Sequence, residues 1–409
     1  MSKKPSDMTR SLDLTHEKRI GAAQRMRRPI YVDLLPPCNH ACPAGENIQA
    51  WLAAAQAGKF KKAWQKLIED NPLPAVHGRV CYHPCEGSCN RAQLDETVSI
   101  HAVERFLGDR ANRKGWKVEG VAAPSGKRVL VVGAGPSGLS AAYHLTRLGH
   151  QVEVHDAGPV AGGMMHFGIP AYRLPRADLD ADIRRIEEMG VRIVLNHKVE
   201  DLLAEKEQGG FDAAFVAVGA HLSKRIDIPA RDAGKMLDAV SFLHEVETGA
   251  VPKLGRRVAI YGGGNTAMDA ARVAKRLGAD EALIIYRRDR EHMPAHAFEA
   301  ADAEEEGIHF HFLCAPIAFI SDGRSNVAAM ELIRMQLGEP DASGRRRPIP
   351  IDGSEFVLDV DMVIPAIGQM PDLGFMVQGD LGVTRWGTLA VDPDTLATGL
   401  PGVFAGATP

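Results

Sequence analysis

Two glycine-rich turns, each directly after a short apolar run, constrain the fold of this chain more than any other feature. The first is Gly133-Ala134-Gly135-Pro136-Ser137-Gly138, after the run 128–132. The second spans 262–267, follows the run 257–261 and lies about 130 residues further on. A glycine pattern between a strand and a helix is typical of a dinucleotide-binding βαβ unit, whose helix N-terminus holds the phosphates. Two such units predict two different dinucleotides on one chain.

Composition narrows the class of protein. A formal net charge of −4 over 409 residues gives no basis for a nucleic-acid partner. No apolar run approaches the roughly 18–20 residues that span a bilayer, and no apolar signal-peptide core lies in residues 1–28. We therefore expect a cytoplasmic protein without a membrane span, and a mobile tail over residues 1–15.

The predicted organisation is α/β, with a helical, cysteine-containing N-terminal domain followed by two Rossmann-like dinucleotide-binding domains. Residues 1–122 form the helical domain and end in a linker, the charged and then Gly/Ala/Pro/Ser-rich stretch 109–127. The first dinucleotide-binding domain is predicted over 123–230 and 355–409, including a strand at 361–365. The second, 231–354, is inserted in it and ends in a variable-looking stretch, 321–355, with a basic run at 345–347.

The first fingerprint predicts an FAD site. Gly133 permits the tight turn, Gly135 lets the backbone approach the pyrophosphate, and Gly138 allows close packing of helix on strand. Asp156 ends the next strand, where an acid binds ribose hydroxyls. The alternative is a glycine-rich turn without a ligand. The further candidate cofactor-binding residues, not divided between the two dinucleotides, are Pro136, Ser137, Gly162, Gly163, Arg173, Leu174, Val199, Ala217, Gly219, Gly368 and Gly406.

The second fingerprint predicts NADPH, held by Gly262, Gly264, Asn265 and Thr266. The strand that follows, 282–286, ends not in an acid but in Arg287-Arg288. An acid there would repel a 2′-phosphate, whereas guanidinium groups bind it in a bidentate way. The alternative is that these arginines belong to a solvated charged face continued by residues 289–291.

Five of the six cysteines are confined to a short N-terminal stretch, with the spacing C-x3-C-P followed by C-x3-C-x3-C. Thiolates at these intervals favour an iron–sulfur cluster over zinc, which usually shows paired C-x2-C spacing, or over inert core thiols. The candidate ligands are Cys38, Cys42, Cys81, Cys85 and Cys89. We expect Cys314 to be buried and unreactive, and the nearby His40, His77 and His83 to lie on the surface or behind the ligands.

Four motifs then identify a family resemblance. They are GRVCxxxCEGxC at 78–89, GIPxYRLP at 168–175, GGGNTAMD at 262–269, and YRR at 286–288 followed by Met293-Pro294. Over residues 31–406 the chain resembles the small subunit of NADPH-dependent glutamate synthase, the amino-terminal half of dihydropyrimidine dehydrogenase and the large subunit of ferredoxin–NADP transhydrogenase. The resemblance implies FAD in the first site, NADPH in the second, and electrons leaving through N-terminal 4Fe-4S clusters to a partner subunit.

The sequence departs from that family in its first cysteine group. Two-cluster members carry two further cysteines, which would fall at Ile30 and Asp33. The resemblance therefore implies one complete cluster, with Cys42, Cys81, Cys85 and Glu104 as its ligands. Cys38 and Cys89 correspond to the incomplete cluster; they could also rearrange onto the surviving one, or complete a second with help from a partner.

A second departure follows Gly406, where relatives have Gly-Asp and a helix beneath the flavin, and this chain reads Ala407-Thr408-Pro409. Without that helix the flavin would be exposed or the core open, so we expect either that the sequence is truncated or that another polypeptide closes the site.

The predicted function is hydride transfer from NADPH to FAD, then single electrons through one 4Fe-4S cluster to a partner subunit. No side-chain catalyst is predicted, and the absence of C-x-x-C near the second fingerprint excludes a thioredoxin-reductase disulfide. The alternatives are a free-standing NADPH:ferredoxin or quinone reductase, and a structural subunit that has lost catalysis.

Overall fold

The computed structural model describes residues 35–224, 228, 237–250, 252–323, 326–341, 344–376 and 382–406. The predicted tail, Ile30, Asp33 and the last three residues lie outside these ranges. The described residues form a helical N-terminal part, two parallel sheets, an antiparallel sheet and a two-stranded ribbon.

The N-terminal part contains helices and no strand among its described residues. Trp51 and Trp64 are fully buried in its core. A side chain at Gly108 would collide with the backbone of Ala75, so the fourth and sixth helices pack almost backbone to backbone. The helices are α1 (Pro37–Ala41), α2 (Ile48–Gln56), α3 (Phe60–Leu67), α4 (Pro74–Val80), α5 (Pro84–Gly87), a 3-10 turn (Asn90–Gln93) and α6 (Ile100–Lys114).

The linker begins later than the sequence predicted. Helix α6 continues through the charged stretch that starts at residue 109 and ends only at Gly115, which has a φ of +61°. A glycine in this left-handed conformation is a common helix stop. Charge alone therefore does not mark a linker here, because one face of the helix is buried at Leu107 and Ala111.

The first parallel sheet carries the first glycine turn. Its strand order is β15-β4-β1-β2-β3. Its strands are β1 (Arg128–Val132), β2 (Gln151–His155), β3 (Arg192–Val194), β4 (Ala213–Val216) and β15 (Val403–Ala405). Its helices are α7 (Pro136–Arg147), α8 (Met164–Phe167), α9 (Arg176–Glu187) and α10 (Leu202–Gln208). Strand β1 is central because it is buried on both faces, with Leu130 and Val131 inaccessible to solvent.

The second parallel sheet carries the second glycine turn, in the order β13-β6-β7-β8. It consists of β6 (Arg257–Tyr261), β7 (Glu281–Tyr286), β8 (His309–Phe312) and β13 (Met362–Pro365), with helices α11 (Ala239–Glu247), α12 (Asn265–Arg276) and α13 (Ala297–Glu305). The segment 361–365 was assigned to the FAD domain from its sequence. The structure corrects that assignment, because β13 pairs with β6 in register Met362 to Val258. The domain boundaries and the insertion remain our proposal, with the return to the first sheet placed after β13.

The stretch 321–355 contains strands that the sequence analysis did not predict. An antiparallel sheet forms from β9 (Cys314–Ser321), β10 (Val327–Pro340), β11 (Arg346–Pro350) and β12 (Phe356–Asp359). Short β5 (Leu222–Ser223) pairs with β14 (Gln369–Met370) in a separate ribbon. This ribbon joins the two segments by which the chain passes between the parallel sheets.

Buried polar contacts hold the helical part on the first sheet. The Tyr143 hydroxyl donates to the carbonyl of Ile68 at 2.6 Å. Asp182, completely buried, accepts from the backbone N–H of Ala75 at 2.9 Å. Buried polar groups need such partners, so these bonds fix the relative position of the two parts. No helix among the described residues is long and apolar enough to cross a bilayer.

Glu306 anchors one side of the second sheet. It accepts from Arg272 at 2.7 Å and from Arg276 at 2.8 Å. The hydrogen bond from Arg276, with that from Arg272, outweighs burial and lowers the pKa of Glu306 to about 2. A carboxyl with a depressed pKa stabilises the fold above its ordinary value of 4.5 and loses that contribution as the pH falls toward 2.

We expect Glu306→Gln to lower the free energy of unfolding by about 1–3 kcal/mol at pH 7. The deficit relative to the wild type should shrink between pH 4.5 and pH 2, as the wild-type carboxyl becomes protonated. Urea unfolding at several pH values measures this difference in the free energy of unfolding. Glu305→Gln is the matched control, since Glu305 is exposed on the same helix; equal losses in the two variants would contradict the role of the arginine pair.

Candidate functional site: two dinucleotide clefts and a cysteine centre

The first glycine turn packs tightly at two of its three glycines. A side chain at Gly133, which has a φ of +106°, would collide with the carbonyl oxygen of Ala217 at the end of β4. A side chain at Gly138 would collide with the carbonyl of Gly133. Both positions therefore require glycine for the fold itself, whether or not a ligand is bound.

Gly135 is different, and its surroundings test whether a dinucleotide fits. Its backbone is extended, with φ −77° and ψ −175°, and a Cβ there would have no atom within 4 Å. It stands at the N-terminus of α7, where free N–H groups favour a phosphate. Gly163 lies against it, with a Cβ position 2.9 Å from the Gly135 Cα, so the 162–163 turn forms the far wall. Only glycine keeps this space empty, which fits a pyrophosphate.

The other residues predicted around this turn contact protein groups or lie in the core. Ser137 Oγ donates to the carbonyl of Gly406, tying the turn to the chain after β15. Asp156 lies at the predicted place, but its carboxylate accepts from the N–H groups of Ala134, at 2.6 Å, and Gly158, at 2.7 Å. Its contact with ribose stays a prediction. Pro136 begins α7, and the Gly162 N–H donates to the carbonyl of Ala134. Gly219 has a φ of +68°. The buried residues among those predicted are Leu174, Val199 and Ala217.

The second glycine turn opens onto a cleft of about 620 Å³. A Cβ at Gly262 would collide with the carbonyl of Ala366, whereas one at Gly264 would have no atom within 4 Å. The arrangement repeats that of the first turn, and again the middle of the pattern leaves room for phosphate. Of the predicted residues, Gly262, Gly264, Thr266, Arg287, Arg288 and Gly368 line the cleft. Asn265 uses its side-chain oxygen to accept from the N–H of His296.

The two arginines of the second site are not equivalent. Arg287 is exposed at the cleft, whereas Arg288 is buried and its Nε donates to the carbonyl of Arg346 at 3.0 Å. Arg287 is therefore the better placed of the two to bind a 2′-phosphate, and that role stays a prediction. Lys224 and Arg345 also line the cleft. Sequence analysis assigned neither residue to the site. For Arg345 the available signal was the basic run 345–347.

Arg173 was predicted at the flavin, and the structure gives its guanidinium protein partners. Its Nη1 donates to both carboxylate oxygens of Asp269 at 2.8 Å, and its Nη2 pairs with Glu299. These two acids belong to helices on the second sheet, so Arg173 joins the two dinucleotide-binding parts. The helical part reaches the same place, because the Tyr82 ring stacks on His296 at 3.7 Å.

Three cysteines of the helical part lie close enough to influence one another's ionisation. Cys42 follows α1, Cys81 follows α4, and Cys85 lies in α5, which contacts α1. Burial, together with the neighbouring Cys81 and Cys42, raises the pKa of Cys85 to about 12. Burial also raises the pKa of Cys81, with further contributions from Glu104 and Cys42. Thiols that oppose one another's ionisation form a donor set suited to a cationic metal centre.

The other predicted residues of this centre lie beside that trio. Cys38 Sγ faces the Asn39 side chain at 3.7 Å, and Cys89 caps the 3-10 turn. His40 is exposed, as expected. The His83 ring stacks on His101 at 4.2 Å, and its backbone N–H donates to Cys81 Sγ at 3.3 Å.

Glu104 is buried and accepts from the Asn71 side chain at 2.6 Å. The same amide donates to Glu46 at 3.0 Å, and the Asn71 oxygen contacts His77 Nδ1 at 2.8 Å. Burial raises the pKa of Glu104 and raises that of Glu46 to about 7. Glu46 and Asn71 were missed by sequence analysis, because neither stands in a cysteine motif. The hydrogen bond from the Asn71 side-chain amide orients the Glu104 carboxylate. The role of Glu104 as a cluster ligand stays a prediction.

Together these features define an NAD(P)H-dependent flavin and iron–sulfur oxidoreductase. Residues 127–407 match the family described as pyridine nucleotide-disulphide oxidoreductase, and residues 11–116 match dihydropyrimidine dehydrogenase domain II, 4Fe-4S cluster. The chain belongs to the pyridine nucleotide-disulphide oxidoreductase family and carries that 4Fe-4S domain at its N-terminus. These families imply FAD and NADPH as the dinucleotides and a 4Fe-4S cluster in the N-terminal part. Which residues hold them stays a prediction.

Similar proteins carry the same parts. The chain is 44% identical over 396 residues to the NADP(+)-dependent formate dehydrogenase subunit beta of Moorella thermoacetica, covering 90% of this chain and 56% of that protein. It is 35% identical over 390 residues to the glutamate synthase [NADPH] small chain of Azospirillum brasilense, covering 91% and 80%. The chain thus spans about half the length of the first relative. FprA of Mycobacterium tuberculosis, solved in complex with NADPH, shares the fold at 19% identity and a TM-score of 0.57, over 68% of this chain and 78% of that one.

We expect Arg287→Gln to raise the KM for NADPH about 10–100-fold and to leave that for NADH nearly unchanged, because it removes a guanidinium partner of the 2′-phosphate. Steady-state kinetics with both nucleotides measures this. Arg347→Gln, an exposed arginine that does not line the cleft, should leave both constants unaltered. An equal change for both nucleotides in Arg287→Gln would remove Arg287 from 2′-phosphate recognition.

We expect Cys42→Ser, Cys81→Ser and Cys85→Ser each to lose bound iron, while Cys38→Ser and Cys89→Ser keep it. The reason is that Cys42, Cys81 and Cys85 lie close enough to influence one another's ionisation, and Glu104 acts on Cys42 and Cys81. Iron content and the electron paramagnetic resonance of the reduced cluster, on anaerobically purified protein, measure the outcome. Iron loss from Cys38→Ser or Cys89→Ser would show that the ligands have rearranged.

Proposed function

We propose that this chain is the electron-input part of a larger enzyme, taking hydride from NADPH onto FAD and delivering single electrons through one 4Fe-4S cluster to a partner subunit. A bound flavin supplies the conversion of a two-electron donor into one-electron steps. The remaining work falls to the residues of this chain, which bind, orient and connect the sites.

The observation that supports this best is the contact of the helical part with both dinucleotide-binding parts. The cysteine-bearing helices pack on the first sheet through Tyr143 and Asp182. They meet the second through Tyr82 on His296. A cysteine centre fixed against the flavin domain is what an outgoing electron path requires, whereas a two-electron reductase has no use for it.

The partner is proposed from the relatives. Two of them are named as a subunit beta and a small chain, which are parts of larger assemblies by name. We place the protein in the cytoplasm, in keeping with six cysteines that are all free in the structure. Co-purification from the source cell, followed by identification of the bound chain, tests the partner; a chain that purifies alone and reduces ferredoxin by itself would favour the free-standing reductase.

The hydride route can be tested with two equivalent substitutions. Gly135 and Gly264 have extended backbones and open space at the Cβ, so valine should fill the phosphate space at either without disturbing the fold. Gly135→Val should purify without flavin. Gly264→Val should keep flavin but need at least about tenfold more NADPH to bleach it.

An anaerobic NADPH titration followed by visible absorbance reads out both variants and the wild type. The wild type should lose its flavin band and then show cluster reduction. Dithionite should bleach Gly264→Val as fully as the wild type, which separates lost nucleotide binding from a lost flavin. A wild-type flavin that NADPH does not bleach would overturn the proposed function.

A further inference from the structure

The edge of the first sheet brings together three side chains that neither the cysteine centre nor the dinucleotide sites use. They are His155 at the end of β2, His197 in the loop after β3, and Glu205 on α10. One nitrogen of each histidine and a carboxylate oxygen of Glu205 all lie within 4.8 Å of one another. Two imidazoles and a carboxylate form a donor set that divalent zinc prefers.

The hydrogen bonding of His155 fixes which nitrogen is available. Its Nε2 lies 2.8 Å from Glu153 Oε1, and since a carboxylate only accepts, the proton is on Nε2. In the neutral imidazole, Nδ1 then carries the lone pair. A histidine that donates its other ring N–H to a carboxylate is the usual arrangement behind a metal ligand. Glu153 is itself held in place by Arg192, at 3.1 Å.

The Nδ1 atom of His155 is a buried polar atom without a hydrogen bond. The residue is only 5% exposed, and among the described residues Nδ1 has no hydrogen-bond partner, although Glu205 Oε1 is 3.0 Å away. A buried polar atom left unpaired is costly, and native proteins rarely leave one. Two donor atoms in close contact without a mutual hydrogen bond are what ligands of one ion show, because both lone pairs point to a shared centre.

The third ligand and the access route are also present. His197 Nε2 donates a hydrogen bond to the same Glu205 oxygen at 2.9 Å, with a proton that an incoming ion would displace. The two imidazole rings are 4.5 Å apart. The loop that carries His197 is anchored, because its N–H donates to the Asp156 carbonyl at 2.9 Å and Asn196 adopts a φ of +53°. The His197 side chain is 40% exposed, so an ion and a water ligand can enter.

We propose that His155 Nδ1, His197 Nε2 and Glu205 form a zinc site, with Glu153 orienting His155 and water in the fourth position. The site stands next to the FAD turn: the His155 carbonyl accepts from the Gly133 N–H at 2.8 Å, and His197 precedes Val199 by two residues. A bound ion would join β2, the 195–198 loop and α10, three elements that frame the flavin domain. Its role is therefore structural.

Zinc titration of the cluster-loaded protein tests this site apart from the function proposed above. Calorimetry with Zn²⁺ alone, after removal of adventitious metal, should give one tight site per chain in the wild type. His197→Gln and Glu205→Gln should lose that site, and Glu153→Gln should weaken it about 10–100-fold. The matched control is Glu207→Gln, an exposed carboxylate on the same helix, which should bind as the wild type does.

Two further readouts exclude binding at the cysteines. X-ray absorption at the zinc edge should show nitrogen and oxygen ligands at roughly 2.0–2.2 Å and no sulfur at about 2.3 Å. Zn²⁺ should raise the melting temperature of the wild type and of Glu207→Gln, but not of His197→Gln, with iron content unchanged in all three. Equal zinc binding by the wild type and His197→Gln, or a sulfur-dominated spectrum, would overturn the site. The two histidines and Glu205 would then form only a hydrogen-bonded ion network.

Discussion

The pairing of Arg173 with Asp269 and Glu299 is the interaction on which the relative placement of the two dinucleotide-binding parts depends. Glu299 is 1% exposed and Asp269 is 5% exposed, so their charges are tolerated only while a guanidinium faces them. Arg272 adds a second cation to Glu299, at 3.4 Å, and continues the network to Glu306. Moving the second sheet away from the first would leave buried carboxylates short of positive charge, which is costly. Buried charge therefore helps to hold the two dinucleotide-binding parts together.

Much of the fold and chemistry could be predicted from sequence because each signal was local. A strand, a glycine turn and a helix are contiguous, so the two βαβ units and the α/β class were predicted and confirmed, as were the family, FAD, NADPH and the 4Fe-4S cluster. The spacing of Cys81 and Cys85 likewise indicated the metal centre directly. The ligand set and the domain limits remain predictions.

Features that depend on long-range pairing were missed. Strand 362–365 looks like its counterpart in the first sheet, and only its register with Val258 shows which sheet it joins. Asn71 orients Glu104 from 33 positions away, and no sequence spacing reveals that. Arg173 stands in a motif that suggested the flavin, yet its partners lie about a hundred residues further along. In each case tertiary contact decided between roles that the local sequence allowed equally.

The ribbon of Leu222–Ser223 with Gln369–Met370 has a mechanical consequence. The chain passes between the parallel sheets twice, and the two passages are hydrogen-bonded side by side, with Lys224 also bonded to Gly368. Because the two passages are paired, one cannot slide along the other without breaking these hydrogen bonds. Lys224 and Gly368 both line the cleft of the second site, so the pairing that ties the two passages together also shapes the wall of that cleft.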